Sequence, residues 1–301
     1  MMANPAISTL YRLKFVRKMK KLIVCLGGIV LVLAMVGKSV NAQIINGAFK
    51  KTNISERKPM PLPTVREADV FWSKKIWRII DLREKMNLTL FYPTQEMDGR
   101  QNLITLLLEG IESGQITPYD ARVGDDFKVP MTFEQVQEVF GAEATTEEII
   151  DFDTGERKEV SIEAEIRPTE IKQYMVKEEW YFDKQASTLN VRIIGVCPIR
   201  EFVRENDESG QVQRQKVFWV YYPEVRDLLA THAVLNPYNE AQSMSYDELF
   251  IKRFFHSYVV KESNVYNNRD ISAYLSGKEA MLESKRIEEE IFNFEQDLWE
   301  Y

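Results

Sequence analysis

The sequence has 301 residues with 39 basic and 46 acidic side chains, a formal net charge of −7, two histidines and two cysteines. The first 42 residues hold seven of the basic residues and no acid, so residues 43–301 carry 32 against 46, a net of −14. A chain this acidic has no global electrostatic reason to bind nucleic acid or anionic lipid, and with Cys197 as the single cysteine after residue 42 it has no internal disulfide to lean on.

Arg12, Lys14, Arg17, Lys18, Lys20 and Lys21 precede an apolar run from Leu22 to Val36, and Val40-Asn41-Ala42 supplies small or modest side chains behind it. This pattern reads as a secretory signal cleaved after Ala42, with no membrane span left after cleavage. Met19 heads MKKLIVCLGG, a more ordinary signal start than Met1. Cys25 follows Val24 rather than a small residue, which argues against a lipoprotein acceptor. The remaining 259 residues, 43–301, are enough for one sizeable core or two smaller ones.

Residues 43–68 show neither helical nor strand period, and Pro59, Pro61 and Pro63 force an extended path. Such an arm is either a leader without fixed structure or a strap that orders on a neighbouring protein, and composition favours the leader. Asp69 is placed as an N-cap for a helix ending at Asn87, with Trp72, Ile76, Ile79, Ile80 and Met86 on one face. Phe71, Trp77 and Leu82 make a second apolar face, and Arg83 falls within the main stripe, where burial would demand a carboxylate partner. LTLFYP, residues 88–93, then reads as a short strand.

Leu103, Leu106, Leu107 and Ile111 mark a helix stopped by Gly114, and Thr132 with Gln135 forms a capping box for a short helix ending at Gly141. An acidic segment follows, in which Asp153-Thr154-Gly155 reads as a hairpin turn. Asp151 and Asp153 lack the further ligands that a calcium loop requires. The stretches YMVKEEWYFDKQAS, LNVRIIGVCPIREFV and QRQKVFWVYYPEV are rich in β-branched and aromatic residues and suggest an antiparallel meander, with Glu208-Ser209-Gly210 turning into the third. Helices return at PEVRDLLATHAV and at SYDELFIKRFFHSY, the latter capped by Ser245 and Glu248. In the last stretch Ala280, Ser284, Ile287, Ile291, Phe294 and Leu298 form a seam on one amphipathic helix. The fold class is α+β, with a helix-rich N-terminal half, antiparallel strands and helices in the C-terminal half, and a terminal amphipathic helix. Residues 69–301 read as a single domain, within which 69–142 and 165–301 are candidate lobes.

Chemistry is sparse. His232 and His256 are too few for a histidine-rich metal site, and Cys197, beside Pro198 in an apolar strand, has no basic neighbour in sequence to activate it. G-x-S-x-G, Walker, G-x-G-x-x-G and H-E-x-x-H patterns are all missing from the sequence. No catalytic residue, cofactor or metal is assigned. FFHSYVVKESNVYNNRDI and FNFEQDLWEY are instead dense in aromatic residues, the types favoured at the centres of protein–protein contacts.

The pieces DVFWSKKIWRIIDLREKMNLTLFYP, DDFKVPMTFEQVQ, EEWYFDKQASTLNVRIIGVCP, FWVYYPEVRDLLATH, FIKRFFHSYVVKESNVYNNRDI and FNFEQDLWEY, in order across 69–301, resemble the GldN/PorN family of gliding-motility and type IX secretion proteins. The resemblance implies a non-enzymatic periplasmic ring subunit, associated with the outer membrane through a GldK/PorK-like lipoprotein. It also implies contacts with a GldM/PorM-like motor protein and with other copies of the ring. On this reading the residues that meet partners are Pro59, Pro61, Pro63, Phe71, Trp77, Arg83, Tyr266 and Trp299, with Trp77 serving subunit contact and Ile79 serving folding. The alternatives are an exported soluble ligand-binding module and a hydrolase with an unrecognised carboxylate site.

Overall fold

The computed structural model describes residues 54, 56–141, 145–150, 157–162, 166–203, 210–237, 239 and 241–298. The signal segment, the Asp153-Thr154-Gly155 turn with Asp151, the Glu208-Ser209 part of the next turn and Trp299 lie outside them. Lys51–Tyr301 forms one compact unit.

In chain order the elements are β1 (Val70–Asp81), α1 (Leu88–Phe91), α2 (Leu103–Glu112), β2 (Pro118–Asp120), α3 (Phe133–Val139), β3 (Thr145–Ile150) and β4 (Arg157–Ile162). They continue with β5 (Ile171–Asp183), β6 (Thr188–Val203), β7 (Val212–Lys216), β8 (Phe218–Tyr221), α4 (Tyr222–Thr231), β9 (Ala233–Val234) and β10 (Met244–Ser245). The last elements are α5 (Tyr246–Ile251), β11 (Tyr258–Glu262) and α6 (Gly277–Asp297). One antiparallel seven-stranded sheet in the order β11-β1-β5-β6-β8-β2, with β7 also on β6, forms the frame. β3 pairs antiparallel with β4 in a separate hairpin, and β9 pairs with β10.

Val70–Asp81 is therefore a strand and not the helix its periodicity suggests, and Asp69 closes a 3-10 turn instead of capping a helix. The residues that follow are also reversed: Leu88–Phe91 is a turn of helix where a strand is expected. The physical cause is burial on both faces. Ile76 packs with Val259, Ile271, Ile287 and Ile291, while Ile80 joins the large cluster of Leu103, Leu106, Leu107, Val225, Leu229 and Phe250. Between them Trp77 points the other way, onto Met175, Cys197, Ile199 and Trp219. A strand sandwiched between two layers has apolar residues on both sides, and a helical wheel sorts these into a stripe as readily as a sheet does. β-branched and aromatic side chains, which fit a pleated surface, decide the outcome here.

The first half of the chain is consequently not helix-rich. It contributes the strand that lies between β11 and β5, together with α2 and α3, whose expected caps are present. Thr132 and Gln135 complete a capping box, and Gly114 and Gly141 adopt φ of +71° and +69° at the helix exits. The meander β5-β6-β7/β8 forms as its composition predicts. α5 carries the Ser245–Glu248 capping box, but it ends at Ile251, and the residues from Tyr258 pair with β1 as a strand. In α6, Ser284, Ile287 and Ile291 are buried on the seam, and Ile287 and Ile291 pack onto the Ile76 cluster.

The second face of the sheet is closed by the segment after β2. Phe127 adopts φ +55° and sets its ring edge-on to Tyr119, Trp219 and Tyr221 at centroid distances of 5.7, 5.9 and 5.6 Å. Gly195 on β6 makes the room: a Cβ there would lie 2.4 Å from Phe127 Cζ. Lys177 holds the same loop by donating from Nζ to the Asp125 carbonyl at 2.7 Å.

Candidate interaction surface

Among the described residues the buried charged groups are tied into pairs that hold elements together. Glu178, fully buried on β5, accepts from Arg253 Nη1 at 2.8 Å and from Trp180 Nε1 at 3.1 Å, and lies 3.5 Å from Arg78 Nε. Arg78 in turn donates to Glu288 of α6 at 2.7 Å, so the terminal helix is fastened to the centre of the sheet. Asp247 of α5 accepts from Arg226 Nε at 2.9 Å and from the Tyr222 hydroxyl at 3.0 Å. Burial, then the neighbouring Asp247 carboxylate, raises the Tyr222 hydroxyl well above the ordinary phenol range. Burial likewise pushes the Cys197 thiol up to about 12, which keeps it protonated and unreactive.

His232 Nδ1 lies 2.8 Å from the Leu228 carbonyl at the end of α4, and His256 Nδ1 lies 2.5 Å from Glu84 Oε2 on the surface. Among the described residues no three His, Cys, Asp or Glu side chains are placed to hold a metal ion. None of their helices is long and apolar enough to cross a membrane.

The residues expected to meet partners separate into two groups. Trp77 is only 2 % exposed and belongs to the core of the second face, so its assignment to subunit contact gives way to a folding role. Ile79, partly buried, packs against the same cluster. Arg83 does have carboxylate partners, but at the surface: it bonds Asp81 Oδ1 at 2.9 Å and lies 3.7 Å from Glu201. Among the described residues the buried guanidiniums are those of Arg78 and Arg226. Hydrogen bonds from Arg83 hold the Asp81 carboxyl well below the usual carboxylate range.

Phe71 and Tyr266 do face outward, each 65 % exposed. Phe71 sits at the start of β1 beneath Lys184, whose Nζ is 5.4 Å from the ring centroid. Next to it Trp72 stacks on Phe294 of α6 at 4.6 Å, along a helix flank with an open hollow of about 420 Å³ lined by Arg286, Glu289, Glu290, Asn293, Phe294 and Asp297. Tyr266 lies in the loop after β11, and that loop is internally braced. Asn264 N donates to Asn268 Oδ1 at 2.9 Å, and Tyr266 N donates to Asn264 Oδ1 at 3.0 Å. Asn267 and Asn268 take φ of +57° and +52°, which asparagine tolerates better than most residues. The Arg269 guanidinium lies 4.8 Å from the Tyr266 ring and 4.3 Å from that of Tyr274. The result is a fixed platform that shows Val265, 90 % exposed, beside Tyr266.

The proline arm lies on its own domain. Arg57 Nη1 donates to Glu248 Oε2 at 3.0 Å and Nη2 to Ser243 Oγ at 3.3 Å. Arg226 Nη2 donates to the Met60 carbonyl at 2.6 Å, and Arg192 meets the carbonyl of Pro63. Ile54 is buried, Pro59 half-buried, and Pro61 and Pro63 exposed. Composition does not foresee this seating of residues 56–63 on their own domain. The reason is that its partners, Glu248 and Arg226, lie 191 and 166 residues away in sequence from Arg57 and Met60. Val265 and the arm's anchors are the features that sequence reasoning missed.

A family model described as gliding motility associated protein GldN matches residues 65–300. A search of curated proteins finds no match.

Proposed function

The chain belongs to the GldN family of gliding motility associated proteins, and on that premise we propose that it is a non-enzymatic ring subunit joining an outer-membrane lipoprotein of the GldK/PorK type to a motor protein of the GldM/PorM type. Membership by itself makes it a structural component of the gliding-motility and type IX secretion machinery. The finer reading places it in the periplasm after removal of residues 1–42, with residues 69–301 working as one domain. The observation that carries it is the match over 65–300, which takes in all of the sheet and the terminal helix.

The surface features suit that role. A closed ring needs a heterologous contact, and hence two different adhesive surfaces on each subunit. Phe71 near the β1–α6 corner and the Val265–Tyr266 platform are exposed apolar groups on separate elements, and aromatic anchors of this kind concentrate binding energy. Pro59, Pro61, Pro63, Arg83 and Trp299 remain partner-contact assignments under this proposal, and Trp77 leaves the set.

Light scattering on size-exclusion chromatography of residues 43–301, alone and with a lipoprotein of the GldK/PorK type lacking its lipid, tests the reading. Co-elution as a large, defined species is expected. A chain that stays by itself at every concentration would overturn it.

A further inference from the structure

We propose that the arm is an exchange element: in the assembled state residues 56–63 of one copy dock on the α4–α5 surface and the adjoining Arg192 of β6 on the next copy, making there the contacts that they make on their own domain in a single chain. The proposal rests on the ring reading above and identifies one of its two adhesive surfaces. The arm is held along its length, by burial of Ile54, by Arg57 on Glu248 and Ser243, by the Met60 carbonyl on Arg226, and by the Pro63 carbonyl on Arg192 of β6. Met60 and Leu62, two of the arm's apolar side chains, stay substantially exposed, so the grip is polar and specific without being deep.

Between the grip and β1 runs Thr64–Ala68, largely exposed. It is bonded within itself, Asp69 N to Arg66 O at 3.0 Å, before Lys184 N donates to the Asp69 carbonyl at 2.9 Å. The connector takes no part in the sheet, whose pairing begins at Val70. Pro59, Pro61 and Pro63 keep the arm extended on either copy, so it reaches outward as a ready-made strap.

The chemistry of the seat is conserved on exchange. Glu248 is the N3 residue of the α5 capping box, and its Oε2 accepts from both Ser245 N at 3.3 Å and Arg57 Nη1 at 3.0 Å. Arg226 is fixed by Asp247 through both Nε and Nη2, and Nη2 donates in addition to the arm's Met60 carbonyl. Neither seat depends on which copy supplies the arm. Exchange of an identical element costs little, and arm-to-seat contact is heterologous, as closure of a ring demands.

Charge reversal tests this. Arg57→Glu and Glu248→Arg are made as separate, differently tagged chains and mixed in the presence of the lipoprotein partner lacking its lipid. In an exchanged assembly the mixture regains the large species that each variant alone loses, because wild-type arms meet wild-type seats and reversed arms meet reversed seats in alternation. If the mixture is no better than either variant, while Arg57→Glu/Glu248→Arg on one chain is restored, the arm acts only on its own domain and the proposal fails.

Since Glu248→Arg also disturbs a helix cap, a second measurement stands beside it. Arg57→Cys on one chain and Ser243→Cys on another are joined by a short bis-maleimide, with Cys197 buried and out of reach. A covalent pair of chains is expected. A bridge that forms only when both cysteines share one chain overturns the exchange. Loss of co-elution by the unmodified chain would remove the ring reading as well, which separates the two failures.

Discussion

Replacing Gly195 with alanine sets a Cβ 2.4 Å from Phe127 Cζ, 2.8 Å from Cε1 and 3.0 Å from the Val220 carbonyl oxygen. The first two contacts are well inside van der Waals separation, and the ring has little freedom to withdraw because Tyr119, Trp219 and Tyr221 flank it. Overpacking of this kind costs about 1–3 kcal/mol, and the rigid surroundings place this case near the upper end, at about 2–3 kcal/mol. For a chain of this length that corresponds to a fall in Tm of roughly 4–12 °C. Phe127→Ala alone removes a partly buried ring and should cost about 2–3 kcal/mol.

In the double variant the ring clash is gone and only the contact with Val220 O remains, so the two effects should fall short of additivity by about 1–2 kcal/mol. Urea denaturation followed by tryptophan fluorescence, with Trp219 beside the site, measures all four corners of the cycle. Additivity within about 0.5 kcal/mol would refute the claim that Gly195 exists to admit Phe127.

Four further outcomes are expected. Trp77→Ala should lose about 3–5 kcal/mol of stability, whereas Phe71→Ala should stay within about 0.5 kcal/mol of wild type and weaken co-elution with the lipoprotein; the reverse pattern would return Trp77 to the interface. Glu178→Ala takes away the carboxylate that Arg253 bonds and leaves Arg78 with Glu288 alone, and should cost about 3 kcal/mol in chemical denaturation; a neutral result would mean that the cluster contributes nothing net. Cys197 in residues 43–301 should ignore a thiol reagent at pH 8 and titrate fully in strong denaturant, so native labelling at a free-thiol rate would contradict its burial. Because the folded Asp81 carboxyl is depressed, its pairing stabilises above the ordinary carboxylate range and is lost as pH falls through the folded value. Asp81→Asn should flatten that acid limb, by under about 1 kcal/mol since Arg83 is largely exposed, and an unchanged limb would place the acid sensitivity elsewhere.

Local signals carried much of the architecture. The capping boxes at Thr132 and Ser245, the turns at Gly114 and Gly141, the β-rich meander and the seam of α6 are all written in spacings of a few residues. β1 is not, because Trp72, Ile76, Ile79 and Ile80 satisfy a helical stripe while the real arrangement buries Ile76 and Trp77 on opposite sides of a sheet. Only the partners in β5 and β11, far along the chain, decide between the two. The same limit hid the seat of the arm. By contrast, Tyr266 was legible as part of an aromatic-dense stretch, although its bracing by Asn264, Asn268 and Arg269 depends on backbone angles that composition does not record.

The placement of β1 also governs how the chain reaches its native state. Ile76 pairs with Glu262 and Arg78 reaches Glu288, a separation of 210 residues, so the first of the described strands waits for partners made long after it. Non-local pairing of this kind slows folding and leaves apolar edges uncovered in the interval. A chain cut short before β11 would present Ile76 and a bare strand edge, and a chain ending before α6 would lack the residues that cover them. Truncated products should therefore aggregate or be degraded instead of accumulating as partial subunits, which makes the C-terminus a built-in checkpoint on completeness.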